Sequence, residues 1–159
     1  GLFAPRIAQE TGLDAPSLFA RGSYFSLKGD APFSRLVYPL PEPGGLGVHA
    51  TLDLSGRCRF GPDVEWLPEG TSPDAPGLYE VDPARAEPFY AAVRTYYPAL
   101  ADGALAPDYA GVRPKLSRET ADFQVVRRGR VLHLLGVESP GLTACLALAE
   151  EAAAEMLVV

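Results

Sequence analysis

The stretch that most constrains the fold is residues 131–143. An apolar run over 131–137 stops at Glu138-Ser139-Pro140-Gly141, and an Ala/Leu-rich helical pattern follows to about Met156. A buried strand thus passes straight into a helix N-terminus. Such a terminus presents backbone N–H groups that have no partner inside the helix, and it carries a partial positive charge. Both favour an anionic group of a ligand. Ser139 is expected to cap the helix, with Pro140 at its first position, where the missing N–H is one of those without a partner anyway. Ala144, Ala147, Ala149, Ala152 and Ala153 leave the helix narrow enough to pack closely on a sheet.

Upstream, short strands alternate with tight turns. Residues 3–11 have helical spacing, with Leu2, Ile7 and Ala8 on one face and Gly12 as the stop. Strands are expected over 22–28, 35–40, 46–53 and 57–60. Pro41-Glu42-Pro43-Gly44-Gly45 and Leu54-Ser55-Gly56 are the turns, since Pro fixes φ and Gly admits φ > 0. This spacing reads as an antiparallel meander. Residues 68–76 form a loop rich in Pro, Gly, Ser and Asp. Asp82-Pro83 caps a helix running to about Tyr97, on which Phe89, Val93 and Tyr97 make one apolar stripe. Residues 106–116 are extended, and 123–126 pairs with 131–137 around Arg128-Gly129. Antiparallel strands flanked by helices give the α+β class.

Composition closes off several functions. A net charge of -6 opposes a nucleic-acid surface, which is normally basic. Arg127-Arg128-Gly129-Arg130 is short and reads as a hairpin turn. No apolar run approaches the ~20 residues of a membrane span, and the first residues do not read as a signal peptide. Cys58 and Cys145 lack metal-ligand spacing and read as buried thiols of a reducing compartment, so a cytoplasmic location is expected. No Gly-x-Ser-x-Gly is present, which removes a hydrolase elbow. Asp53, Asp63 and Glu65 are expected on turns and exposed faces, not as a glycosidase pair.

Four stretches carry a resemblance. They are Tyr38-Pro39-Leu40-Pro41 with Gly45-Leu46-Gly47-Val48-His49-Ala50-Thr51; Phe60-Gly61-Pro62-Asp63; Tyr109-Ala110-Gly111-Val112-Arg113-Pro114; and residues 136–143. Together and in this order they resemble the C-terminal part of FAD-dependent oxidoreductases of the D-amino-acid oxidase/glycine oxidase superfamily, particularly the L-2-hydroxyglutarate dehydrogenase-like proteins. The Gly-x-Gly-x-x-Gly with which that family binds the ADP half of FAD is absent here. Gly1-Leu2-Phe3-Ala4 resembles the residues just after the family's Asn-Ala-Ala-Gly segment, so the chain is expected to be a C-terminal fragment. The resemblance implies three pieces: residues 1–20 as a helix of the FAD-binding domain, 21–105 as part of the substrate-binding domain, and 106–159 as the C-terminal strand–helix part of the FAD-binding domain. Incomplete domains leave exposed edges, which favours homo-oligomers.

Residue roles follow from the same resemblance. Arg113 is expected to fork onto a substrate carboxylate, a contact that guanidinium geometry suits. Tyr109 is expected beside it, and Lys115 to be solvated. His49 is expected to take the hydroxyl proton of a small 2-hydroxy acid as hydride leaves for the flavin, work that suits an imidazole near neutral pH. The bland reading of His49 is a hydrogen-bonded sheet residue, and His133 is read as structural. Gly111, Gly136, Glu138, Ser139, Pro140, Gly141, Leu142 and Thr143 are expected at the FAD, with backbone N–H groups on the flavin N1–C2=O2 edge. Tyr24, Tyr38 and Tyr109 either line the pocket or pack. The alternatives are an amine oxidase of glycine or sarcosine type, and a non-catalytic truncated fragment that assembles without flavin.

Overall fold

The computed structural model describes residues 1–40 and 47–157. The fold is α+β. By contacts the chain divides into two compact units: Gly1–Ala20, Trp66–Ala75 and Arg113–Val159 in the first, Arg21–Glu65 and Pro76–Val112 in the second. The three pieces expected from the sequence are divided by role. By contact, Trp66–Ala75 joins the terminal segments, and the chain returns to the first unit at Arg113.

Strands β1 (Leu18–Leu27), β2 (His49–Leu52), β3 (Cys58–Gly61), β4 (Glu65–Trp66) and β5 (Leu105–Lys115) form one sheet. Its order is β2-β3-β1-β4, with β5 also paired to β1. β2 and β3 are antiparallel, Ala50 facing Phe60 and Leu52 facing Cys58; β3 and β1 are antiparallel, Phe60 facing Phe25. These positions alternate inward as strand geometry requires. Phe25, Ala50, Cys58 and Phe60 therefore share one face and are buried. That face is covered within the second unit by α2 (Ala86–Arg94), whose Phe89 and Val93 are fully buried. The rings of Phe25 and Phe89 are 4.7 Å apart. Tyr90, Leu100 and Leu105 complete this core.

Local signals explain α2. The Asp82 carboxylate accepts the Ala84 N–H at 2.9 Å, and a 3₁₀ turn, Pro83–Arg85, leads into the helix. The helix ends at Arg94, short of the expected Tyr97. Past it the Thr95 and Tyr96 N–H groups bond the Ala92 and Val93 carbonyls in tighter turns, and the Arg94 guanidinium holds the Leu100 carbonyl at 3.0 and 2.8 Å. The strand expected over 35–40 does not form. Val37 makes a single bridge to Ala50, Leu36 and Leu40 are exposed, and Pro39 lacks the N–H that a longer ladder needs. The expected turn at 41–45 lies outside the described residues.

The first unit holds α1 (Ala4–Glu10), the hairpin β6 (Gln124–Arg128) and β7 (Val131–Leu135), and α3 (Cys145–Leu157). Ala8, Leu13, Ala15 and Leu135 are its core, with Leu116 and Val126 packed beside them. His133 is buried, and its Nε2 lies 2.8 Å from the Thr11 hydroxyl at the end of α1. The last helix departs from expectation. It begins at Cys145, not at Ser139, because residues 138–144 form consecutive turns instead. The Gly141 N–H donates to the Glu138 carbonyl at 2.5 Å, and the Ala144 N–H donates to the Pro140 carbonyl at 3.0 Å. None of its residues is buried. Among the described residues, no helix is long and apolar enough to cross a membrane.

Candidate functional site

In the second unit, His49 heads β2 and faces Gly61 across to β3. The Val37–Ala50 bridge brings Tyr38 alongside, and the Tyr38 and His49 ring centres are 4.2 Å apart at 50°. On the other side the Tyr24 ring leans over Gly61. A side chain at Gly61 would put its Cβ 2.6 Å from Tyr24 Cδ1, so only glycine fits. Tyr24 in turn stacks on Tyr109 of β5, with ring centres 4.6 Å apart and 15° between planes. The result is a row, Tyr38–His49–Gly61–Tyr24–Tyr109, on the sheet face opposite the core. The tyrosines that the sequence left open between lining and packing thus form an aromatic platform beside a half-buried histidine. Tyr109 is half exposed, and the Arg59 guanidinium stands 6.0 Å from its ring centre. Gly111 on the same strand has open space where a side chain would be.

Carboxylates hold this platform in place. Arg59 bonds Asp108 at 2.6 Å and Asp53 at 3.0 Å, and the Asp108 hydrogen bond is the chief cause of its raised pKa. Asp53 also accepts the Ser55 hydroxyl at 2.6 Å and the backbone N–H groups of Ser55 and Arg57, which hold its carboxyl well below the usual range. Asp63 accepts the Ser23 N–H at 2.7 Å and two bonds from Arg85. Arg21 grips Glu65 through both carboxylate oxygens, at 3.0 and 2.9 Å. These acids are therefore bound inside ion-pair networks and not displayed on exposed faces as the sequence suggested. Asp53 is held by its own turn and by Arg59, but the arginines that hold Asp63 and Glu65 lie 22 and 44 residues away, where no local signal reveals them.

In the first unit, the turn 136–144 carries most of the residues expected at a flavin. Gly136 has φ +66°, and a Cβ there would stand 2.5 Å from Leu116 Cγ. Glu138 is nearly buried, its side chain 13% exposed. One of its oxygens bonds Lys115 Nζ, and the other lies 3.6 Å from Arg113 Nη1. Lys115 is therefore engaged, contrary to the solvated side chain expected. Arg113 is 37% exposed and keeps donors for another acceptor. The Thr143 hydroxyl donates back to the Pro140 carbonyl at 2.9 Å and so does not cap the helix. Among the described residues, the Leu142 and Thr143 amides have no backbone acceptor, and the Leu142 side chain is exposed. Ser139 and Pro140 are both exposed in the same turn. Two adjacent unpaired N–H groups before an α-helix suit an anionic ligand edge.

The family profile for FAD dependent oxidoreductases matches residues 1–155. The chain belongs to that family. It is 48% identical to "L-2-hydroxyglutarate dehydrogenase, mitochondrial" of Arabidopsis thaliana, across 99% of this chain and 36% of that protein. The fold is similar to that of dithionite-reduced L-alpha-glycerophosphate oxidase from Mycoplasma pneumoniae with FAD bound, at a TM-score of 0.70 and 23% identity, over 98% of this chain and 41% of that one. The chain thus spans well under half the length of either relative.

Proposed function

We propose that this chain contributes to an FAD-dependent dehydrogenase that oxidises a small 2-hydroxy acid of the L-2-hydroxyglutarate type. The observation that carries this reading is the 48% identity with the plant L-2-hydroxyglutarate dehydrogenase along essentially the whole chain. FAD, when bound, supplies the acceptor for the hydride that leaves the hydroxyl-bearing carbon. Arg113 holds the substrate carboxylate through the guanidinium donors that Glu138 leaves open. His49 takes the hydroxyl proton at a ring nitrogen, with the Tyr38 ring fixing the imidazole plane. The Leu142 and Thr143 amides would hold the FAD through hydrogen bonds, and Gly111 would leave room for it beside β5.

The test is a visible absorption spectrum of the purified protein with FAD, before and after anaerobic addition of substrate. A flavin band that bleaches with L-2-hydroxyglutarate supports the reading. Bleaching with glycine or sarcosine instead assigns an amine oxidase, and absence of any bound flavin assigns a non-catalytic role. His49→Ala separates the first two further. Loss of a general base lowers kcat by about 10²- to 10⁴-fold, whereas a neutral amine needs no strong base and loses little.

A further inference from the structure

We propose that Glu138 is an internal competitor for Arg113, and that Lys115 is the positioning residue that sets how strongly it competes. The proposal rests on the reading of Arg113 as a carboxylate-binding residue and adds a control on its affinity. Arg113 and Lys115 are two positions apart on β5, so both side chains leave the same face of the strand, about 7 Å apart along it. Both meet one carboxylate, which is nearly buried and belongs to the turn after β7.

The two contacts are unequal. Lys115 Nζ is hydrogen-bonded to Glu138 Oε1. Arg113 Nη1 stands 3.6 Å from Oε2, outside the range of about 2.7–3.2 Å in which an N–H···O bond is made. Lys115 therefore draws the carboxylate to itself and leaves the guanidinium attracted but not bonded. An incoming carboxylate meets a cation whose field is partly cancelled and whose donors are still unspent. The three side chains together carry one net positive charge, which one carboxylate of a ligand neutralises.

Signs follow that a simple tether would not produce. Removing the Glu138 charge takes away the competitor, so anions bind Arg113 more tightly. Removing Lys115 frees Glu138 to close on Arg113, so anions bind more weakly although Lys115 makes no contact with them. If Glu138 and Lys115 served only to fasten the turn, both substitutions would weaken binding or leave it unchanged.

The experiment is calorimetric titration of the protein with glutarate, a dicarboxylate that has no hydroxyl to oxidise. Glu138→Gln is expected to raise glutarate affinity about tenfold, and Lys115→Met to lower it by a similar factor. Arg113→Ala is expected to abolish binding. Glu138→Gln is nearly isosteric, and Lys115→Arg, which keeps the charge, is expected to bind close to the unmodified protein. Equal or weaker binding by Glu138→Gln overturns the proposal, as does unchanged binding by Lys115→Met. Glutarate binding by Glu138→Gln alone supports it, as complete competition in the unmodified protein. Binding by none of them overturns it. Turnover of L-2-hydroxyglutarate, measured separately on the unmodified protein, reports the functional reading independently, because glutarate binding requires no flavin reduction.

Discussion

Gly136→Ala separates two costs that meet at one residue. Gly136 leaves β7 with φ +66°, a conformation that an alanine adopts at a cost of about 1–2 kcal/mol. Its new methyl would also stand 2.5 Å from Leu116 Cγ and 2.7 Å from Cδ1. Leu116 packs against the core of the first unit and cannot swing away freely, so overpacking adds about 1–3 kcal/mol. The total expected is about 2–5 kcal/mol. Gly129 is the control: its φ is +57°, but nothing lies within 4 Å of a Cβ there, so Gly129→Ala carries the conformational cost alone. The assay is urea unfolding followed by circular dichroism on Gly136→Ala, Gly129→Ala, Leu116→Ala and the Gly136→Ala/Leu116→Ala pair. The double variant is expected to be more stable than the sum of its singles by about 1–3 kcal/mol, because the smaller neighbour makes room for the methyl. The reasoning fails if Gly136→Ala costs no more than Gly129→Ala, or if the pair is additive.

Other consequences concern single buried groups. Cys58 is buried and Cys145 exposed, so a thiol reagent should label Cys145 at once and Cys58 only after unfolding; fast labelling of both in the native protein would contradict the fold. Burial pushes the Cys58 thiol up from 9.0 to about 11. The unfolded thiol ionises first as pH rises, so this contribution is complete below pH 9 and is lost between about 9 and about 11; urea midpoints of Cys58→Ala should fall less steeply across that window. Asp63→Ala leaves the Ser23 N–H and the Arg85 guanidinium without their acceptor and is expected to cost about 1–3 kcal/mol, read from the same denaturation curves.

Where a local residue does a local job, the sequence was readable. Asp82-Pro83 starts a helical segment, Gly12 stops one, and Gly129 turns the hairpin, each through its own dihedrals or cap. Failures came where a competing local turn, the packing of a whole element or a distant partner decides the outcome. Residues 35–40 are a strand candidate by sequence but make one bridge. Ser139-Pro140 has the composition of a helix start, yet the Glu138 and Pro140 carbonyls take the amides of Gly141 and Ala144 into turns, and the helix waits until Cys145. Cys145, expected to be buried with Cys58, is exposed because α3 buries none of its residues. Lys115 looked like a solvated side chain because its partner is 23 residues away.

The same distinction divides the motifs by the work they do. Phe60-Gly61-Pro62-Asp63 carries the resemblance as the turn after β7 does, but its residues serve the fold. Phe60 lies in the core, Gly61 makes room for Tyr24, and Asp63 ties β1 to Arg85 ahead of α2. The turn at 136–144 instead offers unpaired amides and a carboxylate shared between two cations. Loss of Asp63 therefore acts through the stability of the second unit. Loss of the Glu138 charge, in a side chain that keeps its shape, acts through anion affinity at Arg113. A Glu138→Gln protein that melts like the unmodified one but binds glutarate more tightly would place that turn in recognition, and an Asp63→Asn protein that melts early but binds glutarate normally would place the other motif in architecture.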